Sequence, residues 1–389
     1  MTFKLSSKSD RLAVYIHWPF CLSLCPYCDF NSHIASSVDH SEWSNSYIKE
    51  LEYYFPIIRG KKISSIFFGG GTPSLMSPQT VSNIINFLSK YAKIDKEVEI
   101  SLEGNPTSAE ARKFQEFQAA GVNRLSLGIQ SLIDSDLKLL GRKHSSVEAK
   151  KAIEIARHYF KNYSFDLIYS RPNQTLQLWE AELKEALSLA GQHLSLYQLT
   201  IEKGTPFYKM YKNGTIILPD ENIAANLYDF TNEILLEHKL HRYEISNYAK
   251  TGYECRHNLA YWNYDEYLGI GPGAHSRING HEIMTFHNPI KWLREIKDNN
   301  HAIQKNTKLT REEIITEVTM MMFRIATGLN RAEFFKKTGT IFENICNKEY
   351  LNLLLERKIM LYSEITNSYF LSHTGMNIHS YIIPRLLYN

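Results

Sequence analysis

The sequence predicts an α/β fold: an open, partial (β/α)6 barrel followed by a smaller, mostly helical α+β domain. Three observations carry this expectation. Six strand-like runs alternate with amphipathic stretches in the first half, capping residues mark the helix starts between them, and the alternation stops after residues 243–246. The runs at 12–17, 63–68, 98–103, 124–129, 165–168 and 194–200 are short and bounded by turn residues, as strands are. Between them, Thr107 with Glu110 and Ser145 with Glu148 fit the S/T-x-x-E capping box. Ser77 before Pro78 fits an N-cap with proline at the first helical position. Gly121 sits where a left-handed residue closes a helix. Six βα units in a row imply a parallel sheet covered by helices. They are too few for a closed eight-fold barrel, so a partial barrel is expected, with a doubly wound sheet as the alternative. In either, ligands gather at the C-terminal ends of the strands.

Past residue 246 the pattern changes. The stretch 247–286 is rich in Gly, Tyr, Trp, Asn and His, with little periodicity. It reads as an ordered functional loop region, too aromatic for a solvated linker. From 288 the chain turns largely helical, at 311–326 and 342–357 for example. A strand pair follows at 360–362 and 369–371, then a closing helix at 372–387. The expected division is therefore 1–246 for the core, 247–287 for a connecting region and 288–389 for the C-terminal domain.

The bulk numbers narrow the function. With 43% apolar and 22% charged residues, the chain has the makings of an ordinary globular core. A net charge of +3, without a long Lys/Arg run, gives no reason to expect nucleic acid as a partner. No apolar run approaches the roughly 18 residues that span a bilayer. Residues 1–10 are polar and lack the apolar core of a secretory signal. A cytoplasmic protein is expected. Of the five cysteines, three fall within eight residues, which argues against a disulfide framework.

That trio carries the chemistry. Tyr15-Ile-His-Trp-Pro-Phe-Cys21-Leu-Ser-Leu-Cys25-Pro-Tyr-Cys28-Asp-Phe30 directly follows the first strand, in C-x3-C-x2-C spacing. Three thiolates this close on one loop can wrap a [4Fe–4S] cubane. Such clusters normally have four cysteine ligands, so three leave one iron open. S-adenosylmethionine can fill that site through its amino and carboxylate groups, and one electron then splits a carbon–sulfur bond. A structural zinc site is the competing reading, with His17 or His33 as a fourth ligand.

Other polar residues fall where the fold predicts a ligand. Phe67-Phe68-Gly69-Gly70-Gly71-Thr72-Pro73 follows the second strand, and glycines without Cβ let backbone approach a ligand closely. Glu103 ends the third strand, Gln130 follows the fourth, and Asp166 lies in the fifth. Arg142 sits in a loop after a short helix.

These stretches resemble the radical S-adenosylmethionine superfamily, and within it the HemN/HemW branch of oxygen-independent coproporphyrinogen III oxidases and haem chaperones. The resemblance rests on Tyr15-Ile-His-Trp-Pro-Phe-Cys, Gly-Gly-Gly-Thr-Pro, Leu102-Glu103-Gly-Asn-Pro, Asn123-Arg-Leu-Ser-Leu-Gly-Ile-Gln130 and Asp166-Leu-Ile-Tyr, and runs nearly the whole length. It implies a TIM-like partial barrel. It further implies S-adenosylmethionine contacts from Tyr15, Tyr27, Gly70, Gly71, Thr72, Glu103, Gln130, Arg142 and Asp166, with Cys21, Cys25 and Cys28 as the iron ligands. One departure stands out. The family's usual Gly-Leu-Pro after Asp166-Leu-Ile-Tyr is here Ser170-Arg171-Pro172.

Two features choose within the branch. Oxidase-type members resemble C-x3-C-x2-C-x-C, and the fourth cysteine's place is here Phe30. His257-Asn-Leu-Ala-Tyr261-Trp262 looks like the chaperones' H-N-x-x-Y-W haem motif. Its chemistry is readable without the name. Imidazole is a standard axial ligand of haem iron, and Tyr261 and Trp262 offer flat apolar faces to a porphyrin. If the segment is helical, His257 and Tyr261 share a face. Cys255 is a second candidate ligand, though it reads more simply as a small buried residue. His275 is a weaker candidate, and Cys346 reads as core. The expected function is a haem-binding chaperone rather than an enzyme. Its implied partners are haem, an electron donor, and acceptor haem proteins of respiratory, membrane-bound type that require transient membrane association. The alternative is an oxidase acting on coproporphyrinogen III propionates.

Overall fold

The six expected strands form; the first five extend beyond their apolar runs, and the sixth ends at Gln198, two residues short of the expected end. They are β1 (Arg11–Trp18), β2 (Lys62–Gly70), β3 (Lys93–Gly104), β4 (Arg124–Gln130), β5 (Asn162–Tyr169) and β6 (His193–Gln198). This computed structural model describes residues 10–35 and 37–387. Residues 1–9, where the absence of a secretory signal was read, lie outside them. Each strand pairs in parallel with the next in sequence, from β1 through β6. Strand order never reverses within the six, which removes the doubly wound alternative, whose order must switch direction.

Alternation along each strand separates two environments. In β1, Leu12, Val14, Ile16 and Trp18 are buried in the main apolar core beneath the helices, and Tyr15 and His17 take the opposite face. The covering helices include α1 (His40–Tyr53), α2 (Pro78–Tyr91), α3 (Ser146–Tyr159), α4 (Leu176–Leu189) and α5 (Glu221–Glu237). Their starts follow the sequence signals. Ser77 caps α2 with Pro78 behind it, and Ser145 closes a reciprocal capping box with Glu148 on α3. Thr107 caps its short helix, and Gly121 has φ +109.

The stretch 247–286 is more regular than its composition suggests. His241–Arg242 (β7) and Asn247–Ala249 (β8) extend the sheet antiparallel beyond β6. Helix α6 (Arg256–Trp262) follows. Tyr267–Ile270 (β9) then pairs in parallel with the outer side of β1. His275–Ile278 (β10), His281–Thr285 (β11) and Ile303–Lys308 (β12) continue antiparallel from there. The twelve strands of this sheet run β12-β11-β10-β9-β1-β2-β3-β4-β5-β6-β8-β7. A seventh parallel strand thus sits beside β1. Glycines in Leu268-Gly-Ile-Gly-Pro-Gly hide its strand pattern.

From helix α7 (Arg311–Met322) onward a second apolar core forms, around Phe323, Phe334, Phe342, Met360 and Tyr369. It contains the expected strand pair, Met360–Ser363 with Ser368–Leu371. The expected helix at 342–357 splits into a 3-10 turn, Phe342–Asn344, and a helix, Lys348–Glu356, capped by Asn347. The closing helix likewise divides into His373–Asn377 and His379–Leu387. Among the described residues, no helix is long and apolar enough to cross a membrane.

Candidate functional site

The C-terminal ends of β1 to β6 open on a cavity of about 490 Å³. Cys21, Cys25 and Cys28 line it, on a loop pinned in several places. Phe20–Cys21 pairs in parallel with His33–Ile34. Asn31 Nδ2 donates to Pro272 O and His287 O, both at 3.0 Å, tying the loop to the segments that follow β9 and β11. Thr72 Oγ1 donates to Cys21 Sγ at 3.3 Å, and Arg142 Nη1 to Cys25 Sγ at 3.3 Å. Burial raises the Cys21 thiol, partly opposed by Thr72. Burial, with Cys25 and Cys21 close by, pushes the Cys28 thiol up to about 11. Thiols raised in this way become thiolates when a cation engages them. Phe30 is 65% exposed at the cavity rim, beside exposed Leu22 and Leu24.

The same cavity gathers Tyr27, Gly70, Gly71, Thr72, Glu103, Gln130, Arg142 and Asp166. Gly70 has φ +110, and a Cβ there would lie 2.5 Å from the His17 ring. At Gly71 a Cβ would meet Phe20 O at 2.8 Å. Only glycine lets this loop close onto the cysteine loop, where Gly71 N donates to Trp18 O (2.7 Å) and Thr72 N to Phe20 O (2.9 Å). Glu103 Oε2 accepts from Gly70 N at 3.3 Å. Glu103 lies on the inner cavity wall, and burial, with Asp166 nearby, pushes its carboxyl up to about 8. Burial likewise pushes Asp166 up to about 6, against the pull of Ser195 and Arg124. Gln130 turns out of β4 at φ +72. Arg142 donates to Gly128 O at 2.6 Å and also reaches Asn105 Oδ1.

Tyr15 stands just below this lining. Its hydroxyl is 3.1 Å from His17 Nδ1, and its ring stacks at 6.3 Å on Phe67. His17 Nε2 lies 2.9 Å from Asn31 O, so that nitrogen carries the proton and Nδ1 accepts from Tyr15. His33 Nε2 bonds Asn31 Oδ1 at 3.1 Å. Asn105, His144 and Tyr197 also line the cavity and were not singled out from sequence. Strand parity could have found Tyr197, which lies two residues beyond inward-facing Ser195 near the end of β6.

The segment holding His257, Tyr261 and Trp262 is helical, as its i, i+4 spacing allowed, and lies apart from the cavity. Helix α6 packs against β2 on the inner side of the sheet. His257 is 2% exposed. Its Nδ1 bonds Ser65 Oγ at 2.9 Å, and its ring stacks on Phe67 at 4.9 Å and on Tyr15 at 6.1 Å. Its Nε2 is buried without a hydrogen-bond partner. Burial, with Arg124 nearby, lowers the imidazole to about 3, so the ring is neutral. Cys255 is buried too, and its Sγ donates to Glu99 Oε1 at 3.3 Å. His275 is exposed and faces His287 at 6.4 Å, and Cys346 belongs to the second core. The C-terminal domain holds α6 in place. The Arg324 guanidinium lies 4.4 Å over the Trp262 ring and pairs with buried Glu244 at 2.9 Å. Glu317 accepts from Tyr264 at 2.7 Å, and Lys337 pairs with Asp265 at 3.0 Å.

Comparison with known proteins gives a consistent picture. Residues 15–186 match the model of the Radical SAM superfamily. Radical S-adenosyl methionine domain-containing protein 1, mitochondrial, of Mus musculus is 37% identical over 368 residues, covering 91% of this chain and 83% of that one. Heme chaperone HemW of Escherichia coli (strain K12) is 34% identical over 338 residues, 85% of this chain and 87% of that one. Heme chaperone HemW of Bacillus subtilis (strain 168) is 33% identical, covering 93% and 96%. The solved structure of coproporphyrinogen III oxidase (HemN) from Escherichia coli superposes with a TM-score of 0.81 at 20% identity, covering 97% of this chain and 90% of that one. This last likeness is one of fold.

Proposed function

The chain belongs to the radical SAM superfamily, in the HemN/HemW branch, and from that premise we propose that it is a haem chaperone. In this reading Cys21, Cys25 and Cys28 hold a [4Fe–4S] cluster whose open iron takes S-adenosylmethionine. Helix α6 supplies the haem ligand His257, and bound haem passes to acceptor haem proteins. An electron donor would reduce the cluster.

The observation that carries the cofactor half is the cavity. Three thiols meet there with a glycine loop that only Cβ-free residues can form, two raised carboxylates and a cation, Arg142. Thiolate donors suit iron–sulfur chemistry. His17 and His33 are both engaged by Asn31, so the cysteine loop offers three thiols and no idle imidazole as a fourth ligand. That donor set fits a multi-atom cluster better than one zinc ion. When bound, the cluster supplies one electron to the sulfonium centre. The chain's own residues do the rest. Thr72 and Arg142 give hydrogen bonds to thiol sulfurs, which favours the thiolate. The backbone of residues 70–72 makes room for a ligand in close contact. Asp166 and Glu103 await hydroxyl and ammonium donors.

The haem half rests on the relatives named as haem chaperones and on α6. A buried, neutral imidazole with a free Nε2 is a ligand in the right protonation state, with the Tyr261 ring 5.0 Å from it. His257 reaches haem iron only after α6 leaves the sheet, so haem capture requires this helix to open. The test is anaerobic titration of the cluster-loaded protein with haem, followed by its Soret band. His257→Ala should shift that band and weaken binding at least tenfold. An unchanged spectrum and affinity would reject His257 as the ligand, and turnover of added coproporphyrinogen III would replace the chaperone reading with an oxidase.

A further inference from the structure

One buried charge cluster lies beside the cavity, in the stretch where this chain departs from the family pattern. Arg171 is 1% exposed. Its Nη1 donates to Ile168 O at 2.9 Å and to Glu182 Oε1 at 3.3 Å. Its Nη2 pairs with Glu182 Oε2 and, at 2.9 Å, with Asp136 Oδ2. Glu182 is buried on α4, and its Oε1 also accepts from Ser131 Oγ at 2.6 Å and Leu132 N at 2.8 Å.

The cluster therefore grips one loop at two points, its start at Ser131–Leu132 and its middle at Asp136. Ser131 directly follows Gln130. Asp136 lies in the short helix Asp134–Leu139, whose C-terminal end delivers Arg142, and Arg142 N donates to Leu137 O at 2.8 Å. Gln130 and Arg142 bracket this loop, and their side chains line the cavity. A leucine at 171 could make none of these bonds and would leave Glu182 buried without its cation, a costly arrangement. The neighbouring Ser170 holds φ +58, a left-handed conformation glycine adopts more cheaply, so the turn after β5 is held by the buried bonds of Arg171 rather than by local preference.

We propose that Arg171 is a positioning residue for the cofactor cavity: by tying Asp136 to Glu182 it sets Gln130 and Arg142 for S-adenosylmethionine. This rests on the cofactor reading above. The test compares wild type with Arg171→Leu and Asp136→Asn. Asp136 is 26% exposed, so its variant removes one arm of the clamp without stranding Glu182 and decides the matter if Arg171→Leu fails to fold. Two measurements are made. The first is the dissociation constant of S-adenosylmethionine on the anaerobically loaded protein, from the change in its electron paramagnetic resonance signal. The second is hydrogen–deuterium exchange over residues 131–142 in the cofactor-free protein. Asp136→Asn should melt within about 3 °C of wild type, load iron fully, weaken S-adenosylmethionine about tenfold and speed exchange in that segment. Unchanged affinity overturns the proposal even if exchange quickens, because the clamp is then only local. Should the wild type bind no S-adenosylmethionine, the cofactor reading fails on its own. Exchange then decides the clamp, and unchanged exchange overturns it.

Discussion

Glu103 shows what single residues do in this cavity. Its carboxyl ionises near 8 in the folded chain, against an ordinary value of 4.5, because burial disfavours the charge and Asp166 adds repulsion. Between those two values the folded chain keeps a proton that the unfolded chain has lost. Stability of the cofactor-free protein must therefore fall as pH rises through that window, and Asp166, raised to about 6, adds to the fall over the lower part of it. Glu103→Gln keeps the size and removes the titration, so it should flatten the decline in melting temperature between pH 4.5 and 8. A slope equal to wild type's would contradict this assignment. The cysteine trio and Gly70–Gly71 were legible from sequence because spacing and missing side chains are written directly in the letters. Arg171 was legible only as a departure. Its three partners, Ile168, Asp136 and Glu182, come together only in the fold.

At the level of elements, the six parallel strands could be read because each is an apolar run closed by turn residues. The seventh could not, since glycines thin out its side chains. The helix over 257–262 was only a condition in the sequence reading, and the direction of its faces could not be read. Both faces of α6 carry aromatic or apolar groups, so sequence alone leaves open which one turns inward. The structure puts His257 against Ser65 and Phe67 and leaves Trp262 under Arg324. If haem binding needs α6 to open, the apparent on-rate scales with the open fraction. Arg324→Ala removes a cation–π contact of roughly 1 kcal/mol and should raise the rate of haem association about fivefold, read by stopped-flow at the Soret band. It should also lower the melting temperature, because buried Glu244 loses its ion pair. A lower melting temperature with an unchanged association rate would mean that α6 does not gate haem.

Across the whole molecule, the two proposed ligand regions share one sheet. Tyr15 and Phe67 stack on His257 and belong to the strands that lead upward into the cysteine loop and the glycine loop. The C-terminal domain holds α6 through Arg324 on Trp262, and the turn after it through Glu317 on Tyr264 and Lys337 on Asp265. The cavity, α6 and the small domain are therefore in contact, and the proposed function depends on the cavity holding a cluster with a vacant iron. The direct measurement is electron paramagnetic resonance of the anaerobically loaded, reduced protein with and without S-adenosylmethionine, alongside metal and sulfide analysis. About four irons and four sulfides per chain are expected, with a signal that changes on adding S-adenosylmethionine and loss of both in Cys21→Ser, Cys25→Ser and Cys28→Ser. Stoichiometric zinc, or an iron signal indifferent to S-adenosylmethionine, would contradict the proposed function.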